Sequence, residues 1–161
     1  ASPAVTPDAF LAACREQLGD DDAAAAEALF RGRPSPHPFA RSWSDAETIL
    51  RNAVARQRAR ARGADAARWL RPAAGCDRRV EAGVEEAFQL ADPLTREQAL
   101  DKLRWTLADE LASPDPLDIS AVFSYAIKLA IAARWASLSA DRGQRVFDGL
   151  TALPSANPPQ P

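Results

Sequence analysis

Helix-starting signals recur along this chain, and nothing in it is typical of a β-sheet. At Thr6 a capping residue is followed by a proline, which is tolerated there because the first helical N–H has no partner to lose. Ala is abundant whereas Val, Ile and Thr are scarce, and no stretch sustains the polar–apolar alternation of a strand. We predict an all-α protein of seven or eight short-to-medium helices in an orthogonal or irregular bundle, without a sheet.

Local signals also predict where the helices begin. In chain order, we expect helices that begin at Thr6 and Asp20, one from Ser44 to about Arg62, a short one around Asp65–Arg71, and one over Asp77–Leu90. A further helix is expected to open with Asp92–Thr95, and two more are expected to begin at Asp118 and Ser139. Ser44 and Thr95 each have Glu or Gln three residues later, which is the spacing of a capping box. The Pro-rich stretch over residues 31–42 is expected to be a loop.

The length of 161 residues suits one helical domain. We predict a single domain over residues 1–153, with 6–71 and 77–153 as candidate sub-lobes. Residues 154–161 contain four prolines and are expected to form a disordered tail. Because no run of about 18 apolar residues occurs, we expect no membrane span. The expected location is the cytoplasm, with contact to the inner face of the cell membrane only through a complex.

Residues that could carry catalytic chemistry are few. The single histidine, His37, is expected to be a surface loop residue rather than a catalytic base. Cys14 is expected to be a core thiol and Cys76 an incidental loop cysteine, and two cysteines cannot form a zinc-holding cluster. No Gly-rich phosphate loop is present. We therefore expect a protein that is not an enzyme, with no cofactor, no metal ion and no small-molecule substrate.

Charge is distributed unevenly, although the net charge is only −2. Residues 41–79 carry ten Arg and four acidic groups, whereas residues 80–118 carry three basic and ten acidic groups. The basic segment would bind a polyanion such as nucleic acid or dock on an acidic protein partner. The third alternative is that its arginines pair with the acidic segment of the same chain or stay solvated.

The arginines of the third helix fall on two faces. At 100° per residue, Arg51, Arg58 and Arg62 share one face, while Arg56 and Arg60 share another. No aromatic residue is interleaved with them in the sequence, as it would be in many nucleic-acid-binding segments.

Three stretches together resemble a known family. They are residues 10–18 (FLAACREQL), residues 49–59 (ILRNAVARQRA) after Trp43, and residues 118–129 (DISAVFSYAIKL), which lead to Arg134-Trp135 and on to residues 138–147. Their order resembles an uncharacterised bacterial family encoded within operons for V/A-type rotary ATPases. The third stretch is also similar to the end of the C (or d) subunit of those machines, an all-helical socket between the membrane rotor ring and the central stalk.

The resemblance implies a non-catalytic subunit or accessory factor of a bacterial V/A-type ATPase. Such a protein would link or assemble stalk and membrane rotor by protein–protein contacts, and its partners would be ATPase subunits. A free-standing helical adaptor or regulator is the alternative. A third class is a nucleic-acid-binding module that uses the Arg-rich helix 51–62.

Candidate partner-binding residues lie on two helices. They are Arg51, Asn52, Arg58, Arg62, Tyr125, Lys128 and Arg134. Tyr125 and Lys128 flank the apolar stripe of the helix that begins at Asp118, which has the most regular apolar spacing in the chain. They lie on a face that can stay open to a partner. Asn52 has poor helix propensity, so it either bonds to a partner or caps a neighbouring loop of this chain. Trp105 and Trp135 are expected in the core.

Overall fold

Six α-helices make up most of the computed structural model, which describes residues 5–73, 75–138 and 143. They are α1 (Pro7–Gln17), α2 (Asp20–Phe30), α3 (Pro38–Ala61), α4 (Arg78–Gln89), α5 (Pro93–Leu111) and α6 (Ile119–Ser137). Residues Ala67–Trp69 form one turn of 3-10 helix between α3 and α4. No strand occurs among the described residues, which confirms the all-α class.

The expected seven or eight helices are too many for the part of the chain that the structure describes. Around residues 65–71 the chain forms only the single 3-10 turn. The Asp65 carboxylate there accepts a hydrogen bond from the backbone N–H of Ala67 at 2.9 Å, a local bond that competes with an α-helix. The helix expected after Ser139 and the tail over residues 154–161 lie outside the described residues.

α3 begins at Pro38 rather than after Ser44, so the second half of the expected Pro-rich loop is helical. Its N-cap is His37, whose ring Nδ1 accepts a hydrogen bond from the backbone N–H of Phe39 at 3.2 Å. The imidazole also meets the ring of Phe123 edge-on, with 4.6 Å between ring centroids. His37 thus lies in the loop before α3, as expected, but its half-buried ring caps the helix and packs on the core rather than standing free on the surface.

Side-chain caps also mark the starts of α1, α4, α5 and α6, whereas α2 follows Gly19 without one. Thr6 caps α1 and Asp118 caps α6, as predicted. The cap of α5 is Asp92 rather than Thr95, because the Asp92 carboxylate accepts the backbone N–H of Thr95 at 2.8 Å. Pro93 then occupies the first helical position, where its missing N–H costs nothing.

One hydrophobic core is built around aromatic rings. This aromatic core joins α1, α2, the start of α3, the end of α5 and α6, and it contains Phe10, Phe39 and Phe123. Phe123 is fully buried, and its ring centroid lies 5.3 Å from that of Phe39. Cys14 is buried in the same core, as predicted, and burial raises the pKa of its thiol although Arg15 opposes the shift.

A second core is built from branched aliphatic side chains. This aliphatic core joins the middle of α3 with α4 and α5, and its fully buried members include Leu50, Val84 and Leu100. Half-buried Trp43 packs against both cores. Each core takes residues from both of the stretches 6–71 and 77–153, and the division into those sub-lobes stays a prediction.

α6 is the one described helix that is long and apolar enough to cross a membrane, with a mean hydropathy of 1.3 over its most apolar window. Length and composition alone are weak evidence, since the core helix of a soluble protein passes the same test. In this chain Phe123 and Ile127 of α6 lie in the aromatic core, and the helix packs against α2 and α5. We interpret α6 as a core helix.

Candidate functional site

Opposite charges meet where α3 packs on α4. Arg56 lies 3.1 Å from the Glu81 carboxylate, and Arg60 lies 3.9 Å from that of Glu85. These pairs join the basic segment 41–79 to the acidic segment that follows it. Part of the uneven charge is therefore matched within the chain, which was one of the three alternatives considered for the arginines.

The other face of α3 borders a cavity of about 370 Å³, here called the arginine pocket. Residues that line it include Arg51, Arg58, Arg62, Trp69, Leu100 and Arg104. The predicted grouping of Arg51, Arg58 and Arg62 on one helix face is confirmed. Whether these side chains bind a partner stays a prediction.

Two of the pocket arginines are held in place by acidic side chains behind them. Glu47 accepts a hydrogen bond from Arg51 Nε at 2.8 Å and one from Arg104 Nε at 3.1 Å. Arg104 also donates to Asp101, at 2.9 Å. Burial alone would lower the pKa of the Arg104 guanidinium, but Glu47 and Asp101 outweigh it and raise that pKa. Arg104 is therefore a fixed positive charge.

The two remaining pocket arginines are less engaged. Arg58 approaches Glu97 only to 3.8 Å, and its side chain is 60% exposed. Arg62 is exposed and forms no ion pair within the described part of the chain. Exposed pairs of this kind contribute little to stability, so both guanidinium groups are available to an incoming anion.

The aromatic wall of the pocket is Trp69, which no sequence signal indicated. It is 41% exposed, and the guanidinium carbon of Arg68 lies 4.0 Å from its ring centroid. The chain turns back beside α3 after Gly63, whose φ of +61° favours glycine. Trp69 thus joins the arginines in space, although it follows all of the α3 arginines in sequence.

Asn52 fixes the segment that carries this tryptophan. Its side-chain amide donates to the backbone carbonyl of Arg71 at 2.9 Å and accepts from the Arg71 N–H, also at 2.9 Å. Asn52 is buried, and of its two expected roles the structure shows the cap of a neighbouring loop. Trp69 lies only two residues before this double hydrogen bond, so its backbone is held close to α3.

A second candidate surface lies on α5 and α6. This aromatic face consists of Trp105, Tyr125, Lys128 and Asp109. Trp105 is 42% exposed and Tyr125 is 41% exposed. Beside Trp105, Lys128 forms an ion pair with Asp109, and its Nζ lies 5.4 Å from the Trp105 ring centroid. Tyr125 precedes Lys128 by three residues on α6, which places the two on neighbouring positions of one helix face. The aromatic face thus combines two half-exposed aromatic rings with an ion pair that has no net charge.

The exposure of Trp105 corrects the expectation of a core position. Leu100 and Leu107 of α5 turn inward and are buried, while Trp105 lies on the flank of that row. Its ring instead packs under the Lys128 ammonium group. Trp135 is half-buried, and its indole N–H donates to Asp101 at 2.7 Å.

Lys128 and Arg134, both proposed to contact a partner, are tied to α5. Arg134 forms an ion pair with the buried carboxylate of Asp101, and Lys128 forms one with Asp109. Their charges are thus matched inside the protein. Tyr125 keeps a free edge, because its only described aromatic neighbour is Phe10, at 5.3 Å between centroids.

Metal-binding and nucleophilic groups do not gather at either surface. Within residues 5–73 and 75–138, no three His, Cys, Asp or Glu side chains form a group that could hold a metal ion. Cys14 is buried in the aromatic core and Cys76 is exposed in the connection before α4.

The family comparison covers the C-terminal part of the chain. Residues 79–153 match a family described as "Protein of unknown function (DUF2764)". This segment includes α5, α6 and the aromatic face, whereas α3 and Trp69 precede it. No curated protein and no solved structure matches the chain. The resemblance to proteins of V/A-type ATPase operons stays a hypothesis beside this finding.

Proposed function

We propose that this protein is a non-catalytic helical subunit or accessory factor that acts through protein–protein contacts on its aromatic face. The observation that carries the proposal is the pair of half-exposed rings, Trp105 and Tyr125, beside the Lys128–Asp109 ion pair. Tyr and Trp are enriched at protein interfaces because they combine apolar area with a polar group. The ion pair beside Trp105 has no net charge, which reduces the charge that a partner would have to desolvate.

Rigid support is a second argument for this face. Tyr125 stands on α6 directly over Phe10 of the aromatic core, and Trp105 stands on α5. The core fixes both helices, so their side chains lose little freedom when a partner binds. The most specific partner we propose is a stalk or rotor subunit of a bacterial V/A-type ATPase, which rests on the sequence resemblance. The cytoplasmic location belongs to the same proposal.

The test is capture of partners from the native host by the tagged full-length chain, read by mass spectrometry at moderate salt. We expect V/A-type ATPase stalk or ring subunits with the unmodified protein, and at least about tenfold less of them with Trp105→Ala combined with Tyr125→Ala. Leu117→Ala is the matched control, because Leu117 is 93% exposed and lies outside the face. Circular dichroism melting of each variant verifies folding.

Two results would contradict the proposal in different ways. If no ATPase subunit is captured from cells that assemble the enzyme, the ATPase assignment is wrong and the free-standing adaptor takes its place. If partners are captured equally by the double variant, the aromatic face is not the contact. The nucleic-acid alternative would use Arg58 and Arg62 on one face of α3, since Arg56 and Arg60 on the other face pair with Glu81 and Glu85.

A further inference from the structure

The proposed contact face leaves the arginine pocket without a role. Its floor is apolar, because buried Leu100 and Ala59 lie beneath it together with Val54. Its wall is the half-exposed indole of Trp69, and its rim carries arginines. Such a combination of an apolar floor, one flat aromatic wall and convergent polar groups is typical of a small-molecule site.

The size of the cavity favours a compact ligand. Its volume of about 370 Å³ lies at the lower end of the range found for small-molecule pockets. An indole is a surface on which a planar ring stacks without regard to its exact identity. Arg68 lies 4.0 Å from the Trp69 ring centroid and adds positive charge beside the wall.

The charges at the rim select an anion. Arg51 and Arg104 both bond to the Glu47 carboxylate, so partners within the chain already hold these two guanidinium groups. Arg58 has only the long 3.8 Å approach to Glu97, and one helical turn further Arg62 faces solvent. Guanidinium groups bind phosphate in a two-pronged geometry, and residues four apart on a helix can hold one phosphate together.

We propose that the arginine pocket binds a planar ring that carries a phosphate, the chemistry of a nucleoside monophosphate. The ring lies against Trp69 over the floor formed by Leu100. The phosphate lies between Arg58 and Arg62. Glu97 stands on the same rim, where its carboxylate accepts hydrogen bonds from hydroxyl groups between ring and phosphate. This ligand site is separate from the aromatic face, so either proposal can fail without the other.

The experiment is a titration of the full-length protein with AMP, followed by calorimetry and by the indole N–H signals in a proton–nitrogen NMR spectrum. We expect saturable binding and a shift of the Trp69 signal, which Trp69→Ala identifies by its loss. Adenosine and inorganic phosphate, used separately, are each expected to bind at least about tenfold more weakly than AMP, since each lacks half of the contacts.

Matched variants locate the site. Arg58→Ala combined with Arg62→Ala is expected to weaken AMP binding at least about tenfold, because two guanidinium contacts are lost. Arg60→Ala, on the opposite face of α3, is expected to change it less than about twofold. All three side chains are exposed, so the fold is expected to persist, and the melting temperature verifies this.

Several outcomes would overturn the proposal. One is the absence of saturable AMP binding up to about 5 mM, a limit weaker than most specific ligands show. Another is an equal affinity for inorganic phosphate and AMP, which would show that the ring of AMP does not bind against Trp69. A third is tight binding of a short single-stranded RNA without any binding of AMP, which would make the arginines a nucleic-acid surface instead.

Discussion

The two cores of this protein differ in kind, and each supports a different surface. The aromatic core brings Phe10 beneath Tyr125, so the same ring cluster continues from the interior to the aromatic face. The aliphatic core ends at Leu100 beneath a rim of arginines. In this chain the aromatic interior therefore continues outward to half-exposed rings, whereas the aliphatic interior ends at a cavity with a charged border.

Acidic residues connect the two regions. Asp101 of α5 receives Arg104 from the side of the arginine pocket, and it receives Arg134 and Trp135 from α6. Its side chain is only 7% exposed. A single buried carboxylate thus joins Arg104, which lines the arginine pocket, to the end of α6.

The largest expected effect is in the aromatic core. Phe123→Ala removes a fully buried ring that contacts both Phe39 and His37, so it should lower the free energy of unfolding by about 4 kcal/mol. Urea unfolding followed by circular dichroism measures the change. A loss below about 1 kcal/mol would show that the cluster collapses around the cavity and that the rings are not the main support of this half.

The corresponding change in the aliphatic core is expected to cost slightly less. Leu50→Ala empties a fully buried site between α3, α4 and α5, and should lower the free energy of unfolding by about 3 kcal/mol. Leu94→Ala is the control, because Leu94 is 56% exposed and should change it by less than about 0.5 kcal/mol. Equal costs for the two leucines would contradict the assigned core.

The next largest loss of stability is expected when a polar side chain beside the aliphatic core is removed. Asn52→Ala breaks both hydrogen bonds to the Arg71 backbone and empties a buried polar position in α3, so we expect a loss of about 2 kcal/mol. The Trp69 indole signal should shift in the NMR spectrum, since its backbone loses this anchor. Thr48→Ala removes an exposed hydroxyl bond on the same helix and serves as the control. An unmoved Trp69 signal would refute the anchoring role.

Acid should destabilise the start of α4, which packs in the aliphatic core, and the start of α6, which packs in the aromatic core. Backbone N–H bonds from Arg79 lower the pKa of Asp77 at the start of α4, and the Ser120 hydroxyl and N–H lower that of Asp118 at the start of α6. A carboxylate with a lowered folded pKa stabilises the protein above its ordinary pKa of about 4, and this contribution is lost as the pH falls through the folded value.

Melting temperatures measured from about pH 5 to about pH 2 test this effect. Asp77→Asn and Asp118→Asn still cap a helix but do not titrate, so each should flatten part of the decline. An unchanged profile in both variants would assign the acid sensitivity to other groups.

The smallest expected effect is at the outer edge of α3. Arg60→Ala breaks a pair with Glu85 whose arginine side chain is 79% exposed, and it should change the free energy of unfolding by less than about 0.5 kcal/mol. Urea unfolding at low and high salt tests this. A loss above about 1 kcal/mol that disappears in salt would mean that the α3–α4 charge pairs act as a network.

Local chemistry explains what the sequence could predict. The caps at Thr6 and Asp118 involve residues two or three apart, so their signals can be read from adjacent letters. The start of α3 was missed because the ring nitrogen of His37 serves as its cap, and histidine is not among the preferred capping residues. The grouping of Arg51 with Arg58 was predictable because it depends only on helix geometry.

The rest of the two candidate surfaces depends on contacts between distant segments. Trp69 joins the pocket only after the chain reverses beyond Gly63, and the Asn52–Arg71 bond spans that reversal. Trp105 was assigned to the core because its helix is amphipathic, yet the flank on which it lies is left open by α6. Periodicity identifies a stripe, but only the packing of the neighbouring helix defines the edge of that stripe.

The double hydrogen bond of Asn52 has a consequence for the timing of ligand capture. If the loop that carries Trp69 were mobile, the indole would line the pocket for only a fraction of the time. The apparent affinity for the proposed ligand would then be reduced by that fraction. Because the Asn52 side-chain amide bonds to both backbone groups of Arg71, the Trp69 indole is already positioned before a ligand binds. For the proposed ligand, the ordering of this loop is thus complete after folding and does not reduce the affinity.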